Sequence, residues 1–518
     1  MAKKLLGLRL CEHDSNFSLY DGEKVSYLKT ERLYKQKHHA YNNLFEWQTD
    51  LEEKFNIKSS EIDEIAIVVD PWIYNLPLDN EEFYPATDFK HLPIESKVCR
   101  INHHLGHALS CWPLYKTRPK YEIIIDGFGD ANNAWTVIIN DKIHKRGYTD
   151  KNGSLGLAMA NVGKAFKINS QQVYDIAGKL MGLQSYGNIL PEFKKFLNYD
   201  IYSIDKLFNF NNYIEHKENL LLAEMQPLDW IRTVHDKVSD ILINFFEEVT
   251  NKDYDAHISY SGGVAQNVIW NTALKNKFKN LIIPPHCNDE GLSLGALEYL
   301  RVKNNLPKFK LNNFPYVQSD EEPLTKPDEK TFKETAEYLK QGCIVAWYQG
   351  NGEIGPRALG NRSLLFNPLI KNGTNIINHI KKRETYRPFG ASILKEHVKE
   401  YFNTDIENPF MLYVGSVNNE NLKSITHIDG TCRYQSVDKA NKVYYNLINE
   451  FYKKTGCPIV LNTSFNINGK PIMSDIKDAK KFFNDSNIDI LVIGNKIFKK
   501  YSISSLLVPT FPMYGQKI

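Results

Sequence analysis

Short apolar runs divided by small polar turns pattern the first half of the chain. Leu5 to Leu10 reads as a strand, the chain turns at Glu12-His13-Asp14-Ser15, and alternation resumes to Leu19-Tyr20. Asp21-Gly22 is a hairpin signal, and Val25 to Leu28 is the next strand. Ile65 to Val69, Tyr121 to Ile125 and His257 to Tyr260 have strand length too, and the last enters Ser261-Gly262-Gly263 and a helical pattern. Strands that end in small polar turns, with helices between them, predict an α/β fold. The pattern breaks between residues 306 and 330, where Pro307, Pro315, Pro323 and Pro327 accompany the acidic Ser319-Asp320-Glu321-Glu322. A helix from Thr331 to Gln341 and a strand from Ile344 to Tyr348 then open a second α/β module. The expected division is residues 1–305, a linker at 306–330, and residues 331–518.

The chain has 518 residues, 42% of them hydrophobic and 24% charged, with a net charge of +3, which is ordinary for a soluble protein of two or three domains. So small a surplus neither demands a nucleic-acid partner nor excludes a local basic patch. The seven cysteines are scattered and form no CxxC pair, which argues for a reducing compartment and against a zinc finger or a disulfide framework. No apolar run reaches the length of a membrane span and no targeting segment is indicated. The expected location is the cytoplasm, or a host's cytoplasm if the source is viral.

Candidate chemistry clusters in a few motifs. In Asn102-His103-His104-Leu105-Gly106-His107-Ala108, His103 and His107 stand four residues apart, which on a helix puts both imidazoles on one face. Asp126 closes a strand, where α/β folds place ligands, and Asp289 lies in a turn ahead of a helix beginning near Leu292. Two His and two Asp make a mixed nitrogen and oxygen metal site, open to iron, zinc or manganese. Ser261-Gly262-Gly263-Val264-Ala265-Gln266-Asn267 and Asp126-Gly127-Phe128-Gly129-Asp130 are strand-and-turn phosphate signals. Two of them in one domain suggest the split phosphate-binding design of actin-like ATPases. In the second module, arginine is scarce beside lysine, yet Arg357, Arg362, Arg383, Arg387 and Arg433 all fall in motif blocks. Glu353 and Glu384 leave several of these forks over, so the block predicts an anion site that grips more than one phosphate.

The order His13-Asp14-Ser15, Glu31-Arg32, Lys37-His38, HHLGHA, DGFGD, GKLMGLQSYG, SGGVAQN and GPRALGNR resembles the O-carbamoyltransferases of nodulation-factor and antibiotic (tobramycin-type) biosynthesis. The resemblance implies an actin-like ATPase first domain, similar to the tRNA threonylcarbamoyl-transfer proteins. It implies a second α/β domain similar to threonylcarbamoyl-AMP synthase. His103, His107, Asp126 and Asp289 would hold a divalent or trivalent metal, iron first with zinc or manganese behind it, and Mg would accompany ATP. His13 would be the base, and Lys179, Gly182, Gly262, Gly263, Val264 and Asn267 would bind nucleotide. Lys381, Arg433 and Ser464 would hold carbamoyl phosphate or carbamate. Arg357, Arg362, Arg383 and Arg387 would steady phosphates, while Asn462 and Asn466 would bond the carbamoyl group or ribose. A homodimer is implied as well. The chain departs from the family at Met159, where members carry an aromatic.

On this resemblance, carbamate from carbamoyl phosphate attacks ATP in the second domain, and the resulting carbamoyl-adenylate passes to an acceptor hydroxyl in the first. Two acceptor classes stay open: the hydroxymethyl of 5-hydroxymethylcytosine in DNA, and a sugar, aminoglycoside or other small-molecule hydroxyl. The basic, aromatic stretch from Lys29 to Tyr41 leans toward nucleic acid, because such residues serve phosphates and stack bases. Threonylcarbamoyl transfer to tRNA ranks behind both, because that pathway usually divides the two folds between chains.

Overall fold

The computed structural model describes residues 3–500 apart from residues 11, 42, 44, 70–86, 89–95, 169, 171–172, 209–210, 220–224 and 319–323. The acidic part of the expected linker therefore lies outside the described residues. In the first sheet, β1 (Leu5–Leu10) pairs antiparallel with β2 (Asn16–Tyr20), which pairs antiparallel with β3 (Val25–Lys29). On its other side β1 runs parallel to β4 (Glu64–Val69), followed by β5 (Thr87–Asp88) and β6 (Lys97–Arg100) in the order β3-β2-β1-β4-β6-β5. The second sheet holds β7 (Tyr121–Ile125), β8 (Asn133–Ile139), β9 (Lys142–Tyr148), β10 (Ile258–Ser261) and β11 (Leu281–Ile282) in the order β11-β10-β7-β8-β9. Each sheet begins with an antiparallel three-strand meander whose first strand then pairs in parallel with a later one. This repeated topology is an actin-like ATPase arrangement. β1, β4 and β7 are buried along their whole length, as near-continuous apolar runs require.

A third, mixed sheet follows. It contains β12 (Val345–Tyr348), β13 (Arg362–Phe366), β14 (Gly390–Leu394), β15 (Val414–Ser416), β16 (Thr431–Val437), β17 (Ile459–Ser464), β18 (Ile490–Ile493) and β19 (Lys496–Lys499), in the order β15-β16-β14-β17-β13-β12-β18-β19. The helix ahead of it spans Glu329–Lys340, two residues earlier than its apolar period predicts, because the Asp328 side chain accepts from Thr331 N and caps it.

The Leu292–Lys303 helix lies between β1 and the His103–Ser110 helix at backbone contact. A Cβ added to Gly7 would stand 2.1 Å from Ser293 O, and one added to Gly295 would stand 1.9 Å from Gly106 O. Only glycine permits so close an approach. The modules also touch directly. Leu412 and Tyr413 enter the core under the second sheet, and Val414 N donates to Thr272 Oγ1 at 2.9 Å.

The described part of the connection is packed against the protein. The Phe309 ring lies 4.4 Å from Tyr20, Lys29 N donates to Gln318 Oε1 at 2.9 Å, and Gln318 N donates to Gly352 O at 3.1 Å.

Replacing Gly295 by Val should cost about 3 kcal/mol or more, since no rotamer change relieves a clash with backbone. A denaturant midpoint unchanged from the wild type would refute that reading of the helix contact.

Candidate active site

Asn102 caps the His103–Ser110 helix through its side chain, and the helix sets His103 and His107 one turn apart. Asp126 follows β7, and Asp289 opens the turn before the Leu292–Lys303 helix. One oxygen of each carboxylate is fixed by donors. Asp126 Oδ1 accepts from Gly127 N at 2.7 Å and Gly263 N at 3.0 Å, and Asp289 Oδ2 pairs with Arg9 Nη2 at 2.7 Å. The other oxygens face the imidazoles. Asp126 Oδ2 is 2.8 Å from His107 Nε2 and 3.3 Å from His103 Nε2, and Asp289 Oδ1 is 3.4 Å and 3.6 Å from the same atoms.

Donors about 2.1 Å from one ion stand about 3.0 Å apart along octahedral edges and about 3.4 Å apart along tetrahedral ones. The four side chains are all buried, and their donor atoms lie within 4.8 Å of one another. Burial opposes an imidazolium at His107, yet the two carboxylates push it up to about 9. Protons are thus held where a metal cation fits the donor set.

His13 sits beside this group. Its Nδ1 is 3.0 Å from Asp14 Oδ2, its Nε2 is 3.9 Å from Asp289 Oδ2, and the Tyr174 ring lies 4.0 Å from its own. Asp14 takes a left-handed backbone (φ +56°) and shares Oδ2 with His38 Nδ1, also at 3.0 Å. Burial works against the His38 charge, but Asp14 and Asp175 more than offset it and push it up to about 10.

The arginine blocks build the opposite end. Lys381 Nζ donates to Ser464 Oγ at 3.0 Å and to Asn466 Oδ1 at 2.5 Å, and Ser464 Oγ donates to the same Asn466 oxygen at 2.6 Å. The Arg383 guanidinium lies 4.0 Å from the centre of the Phe389 ring, with Nε on Asn378 Oδ1 at 2.7 Å. Arg433 Nε and Asn462 Oδ1 are buried without hydrogen-bond partners among the described residues. Burial drives Lys381, Arg383 and Arg433 well below their ordinary pKa ranges, and their mutual repulsion and that of Arg357 and Arg387 adds to it. Glu384, the nearby acid, is divided between Lys179 at 2.7 Å and Arg387 at 3.6 Å. Concentrated buried positive charge calls for an anion.

One cavity of about 480 Å³ joins the two ends. Its wall includes His13, His103, Asp126 and Asp289 from the first module and Arg357, Lys381, Arg383, Arg387, Arg433, Asn462, Ser464 and Asn466 from the second. Gly182, Gly263, Val264 and Asn267 line it as well. Asn267, however, caps the Val268–Lys277 helix through its Oδ1, accepting from Ile269 N and Trp270 N. Gly262, Lys179 and Arg362 are not part of the wall. Gly262 (φ +93°) packs on Ile125, and Lys179 is turned to Glu384. Arg362 donates to the carbonyls of Gln349, Gly350 and Asn361 and lies 3.6 Å from the centre of the Tyr348 ring, so its guanidinium is used up in building the sheet.

The basic stretch from Lys29 to Tyr41 exposes Tyr34, Lys35 and Gln36, but most of its cations are engaged within the protein. Lys29 and Arg32 are buried, Lys37 pairs with Asp175, and the Tyr34 and Tyr41 hydroxyls both reach Asp50. Two site residues escaped the motif reading. Arg9 left a trace, as the one charge inside the apolar run Leu5–Leu10, whereas Tyr174 left none.

An α/β chain of this topology has a metal-type donor group and a cluster of buried cations on one cavity. Known proteins place it: the family described as "Carbamoyltransferase N-terminus" matches residues 84–297, "Carbamoyltransferase C-terminus" matches residues 336–500, and the chain belongs to the carbamoyltransferases. It is therefore an enzyme that transfers a carbamoyl group, with carbamoyl phosphate and ATP as the family's co-substrates.

The nodulation protein NolNO of Sinorhizobium fredii is 30% identical over 96% of this chain and 80% of its own length. The 3'-hydroxymethylcephem-O-carbamoyltransferase of Amycolatopsis lactamdurans is 30% identical over 51% of this chain and 53% of its own. Among solved structures, the activator of the 2-hydroxyisocaproyl-CoA dehydratase from Clostridium difficile with bound ADPNP covers 60% of this chain and 100% of its own, at 13% identity and a TM-score of 0.36, too low to carry an argument.

Saturating pyrophosphate should stabilise the protein by about 2–3 kcal/mol at a hundredfold excess over its dissociation constant. Arg433→Met should remove most of that gain while raising the ligand-free stability by about 1 kcal/mol, because an uncompensated buried charge is gone. Equal pyrophosphate shifts in both proteins would rule out Arg433 as part of the anion site.

Proposed function

We propose that the chain is an ATP-dependent O-carbamoyltransferase with its two half-reactions at opposite ends of one cavity. The carrying observation is that single cavity, lined by the buried cations at one end and by His13, His103, Asp126 and Asp289 at the other, with His107 behind the wall. At the cation end, in a domain that we liken to threonylcarbamoyl-AMP synthase, Lys381, Arg433 and Ser464 hold carbamoyl phosphate, which water hydrolyses to carbamate as inorganic phosphate leaves. A carbamate oxygen attacks the α-phosphorus of ATP, the bond to the β-phosphate bridge breaks, and pyrophosphate leaves. Arg357, Arg383 and Arg387 offset the phosphate charge. Asn462 and Asn466 orient the carbamoyl group, a role that suits the unbonded Asn462 Oδ1. The shared cavity keeps a labile adenylate from bulk water.

At the other end the acceptor hydroxyl attacks the carbamoyl carbon, the carbon–oxygen bond to AMP breaks, and His13 takes the hydroxyl proton. Burial opposes the His13 charge, but Asp14 and Asp289 more than offset it and raise its pKa; in the neutral form, with Nδ1–H donated to Asp14, Nε2 is the accepting nitrogen. His103, His107, Asp126 and Asp289 fit iron, zinc or manganese, and a metal bound there would polarise the carbonyl.

For the acceptor we favour a small-molecule hydroxyl over hydroxymethylated DNA. The supporting observation is the Lys29–Tyr41 stretch, whose cations are mostly engaged within the protein, leaving few for a phosphate backbone.

His13→Asn should leave ATP–pyrophosphate exchange in the presence of carbamoyl phosphate near the wild-type rate while abolishing transfer. Loss of both together would overturn the division between the two ends. Offering an aminoglycoside beside hydroxymethylcytosine-containing DNA, with carbamoyl phosphate and ATP, decides the acceptor class: a carbamoyl mass gain on the DNA alone defeats the preference for a small molecule.

A further inference from the structure

Lys29 ends β3, and its ammonium is enclosed, with 4% of the side chain exposed. Glu290 Oε1 lies 2.7 Å from Nζ, Glu31 Oε1 2.8 Å and Asp14 Oδ1 3.7 Å. These carboxylates come from separate segments. Asp14 follows His13 in the first turn, Glu290 follows Asp289 in the turn before the Leu292–Lys303 helix, and Glu31 lies in the first turn of the Thr30–Tyr34 helix. Asp14, Glu31 and His38 by themselves bring donor atoms within 4.8 Å of one another, a grouping of metal-binding type. Burial opposes the Lys29 charge, but Glu290, Glu31 and Asp14 more than offset it and hold the amine above its ordinary range. A cation thus already sits among these acids, and it is covalently part of the chain.

We propose that Lys29 is a positioning residue that acts as a fixed cation, filling with its ammonium the acidic pocket of Asp14, Glu31 and Glu290 and tying the His13 turn to the Asp289 turn. Three buried carboxylates without it would repel one another and would recruit a divalent ion in its place. The ammonium therefore keeps the neighbouring His/Asp group a centre for one metal, where the two ions of a dinuclear site would change the chemistry. It also stabilises the spacing between His13 and Asp289. The pocket and its occupant stand on these distances alone. Only the consequence for a one-metal centre rests on the proposed role of His103, His107, Asp126 and Asp289.

The test is a Mn2+ titration of the metal-stripped full chain, counting bound ions per chain. Wild type should bind one, Lys29→Met two, and Lys29→Met/Glu31→Gln one again, since removing a carboxylate dismantles the new site. ATP–pyrophosphate exchange, read as a control at the cation end of the cavity, should stay within about twofold in all three. The same count for Lys29→Met as for wild type overturns the proposal, and so does a double variant that still gains an ion. A wild type that binds no Mn2+ defeats the one-metal reading of the His/Asp group, while the difference between it and Lys29→Met still decides the role of Lys29. Should stripped Lys29→Met be unfolded, recovery of its helical signal on adding Mn2+ supports the proposal, and failure to recover refutes it.

Discussion

Two helix backbones touch where Gly106 meets Gly295, and the position of the His/Asp group follows from that contact. The His103–Ser110 helix brings the two imidazoles, while the Leu292–Lys303 helix begins immediately after the turn that carries Asp289. A Cβ at Gly295 would come within 1.9 Å of the Gly106 carbonyl, so a side chain there would lever the carboxylate off the imidazoles. Gly7 repeats the device on the other side, seating the same helix on β1, from which Arg9 reaches Asp289 Oδ2. Three glycines thus set distances that the ligating side chains, with their own rotamer freedom, could not set alone.

The cavity carries its charge unevenly. Around His13 nearly every ionic group has a counterpart: Asp14 has His13, His38 and Lys29, and Lys37 has Asp175. At the far end Lys381, Arg383 and Arg433 lie together in low dielectric, and their depressed pKa values mark the cost of that arrangement. One end is electrostatically complete and the other is primed for an anion. That asymmetry supports assigning ATP and carbamoyl phosphate to the second end, and proton transfer to the first.

Much of the site could be read in the sequence because spacing and element ends encode it. HxxxH fixes a helical face, an acid after a buried strand fixes a sheet edge, and β1 and β7 fall on the residues their apolar runs predict. Side-chain direction is less legible. Arg362 shares a motif with Arg357, yet it is the cross-strand neighbour of Tyr348 between β12 and β13 and turns onto that ring, while Arg357 faces the cavity. The internal pairing of cations in the Lys29–Tyr41 stretch was hidden for a related reason. Its partners Asp175, Glu290 and Gly355 are far away in sequence, and local composition says nothing about them.

Gln318 has a consequence for motion. Its side chain accepts from Lys29 N and its backbone donates to Gly352 O, so the connection between the modules is a joint stitched to both sides. A wide clam-like swing would have to tear that stitching and the Val414–Thr272 bond with it. Val173–Asp175 from one half and Asn468–Ile472 from the other line the same cavity, so parting the halves would also divide that wall.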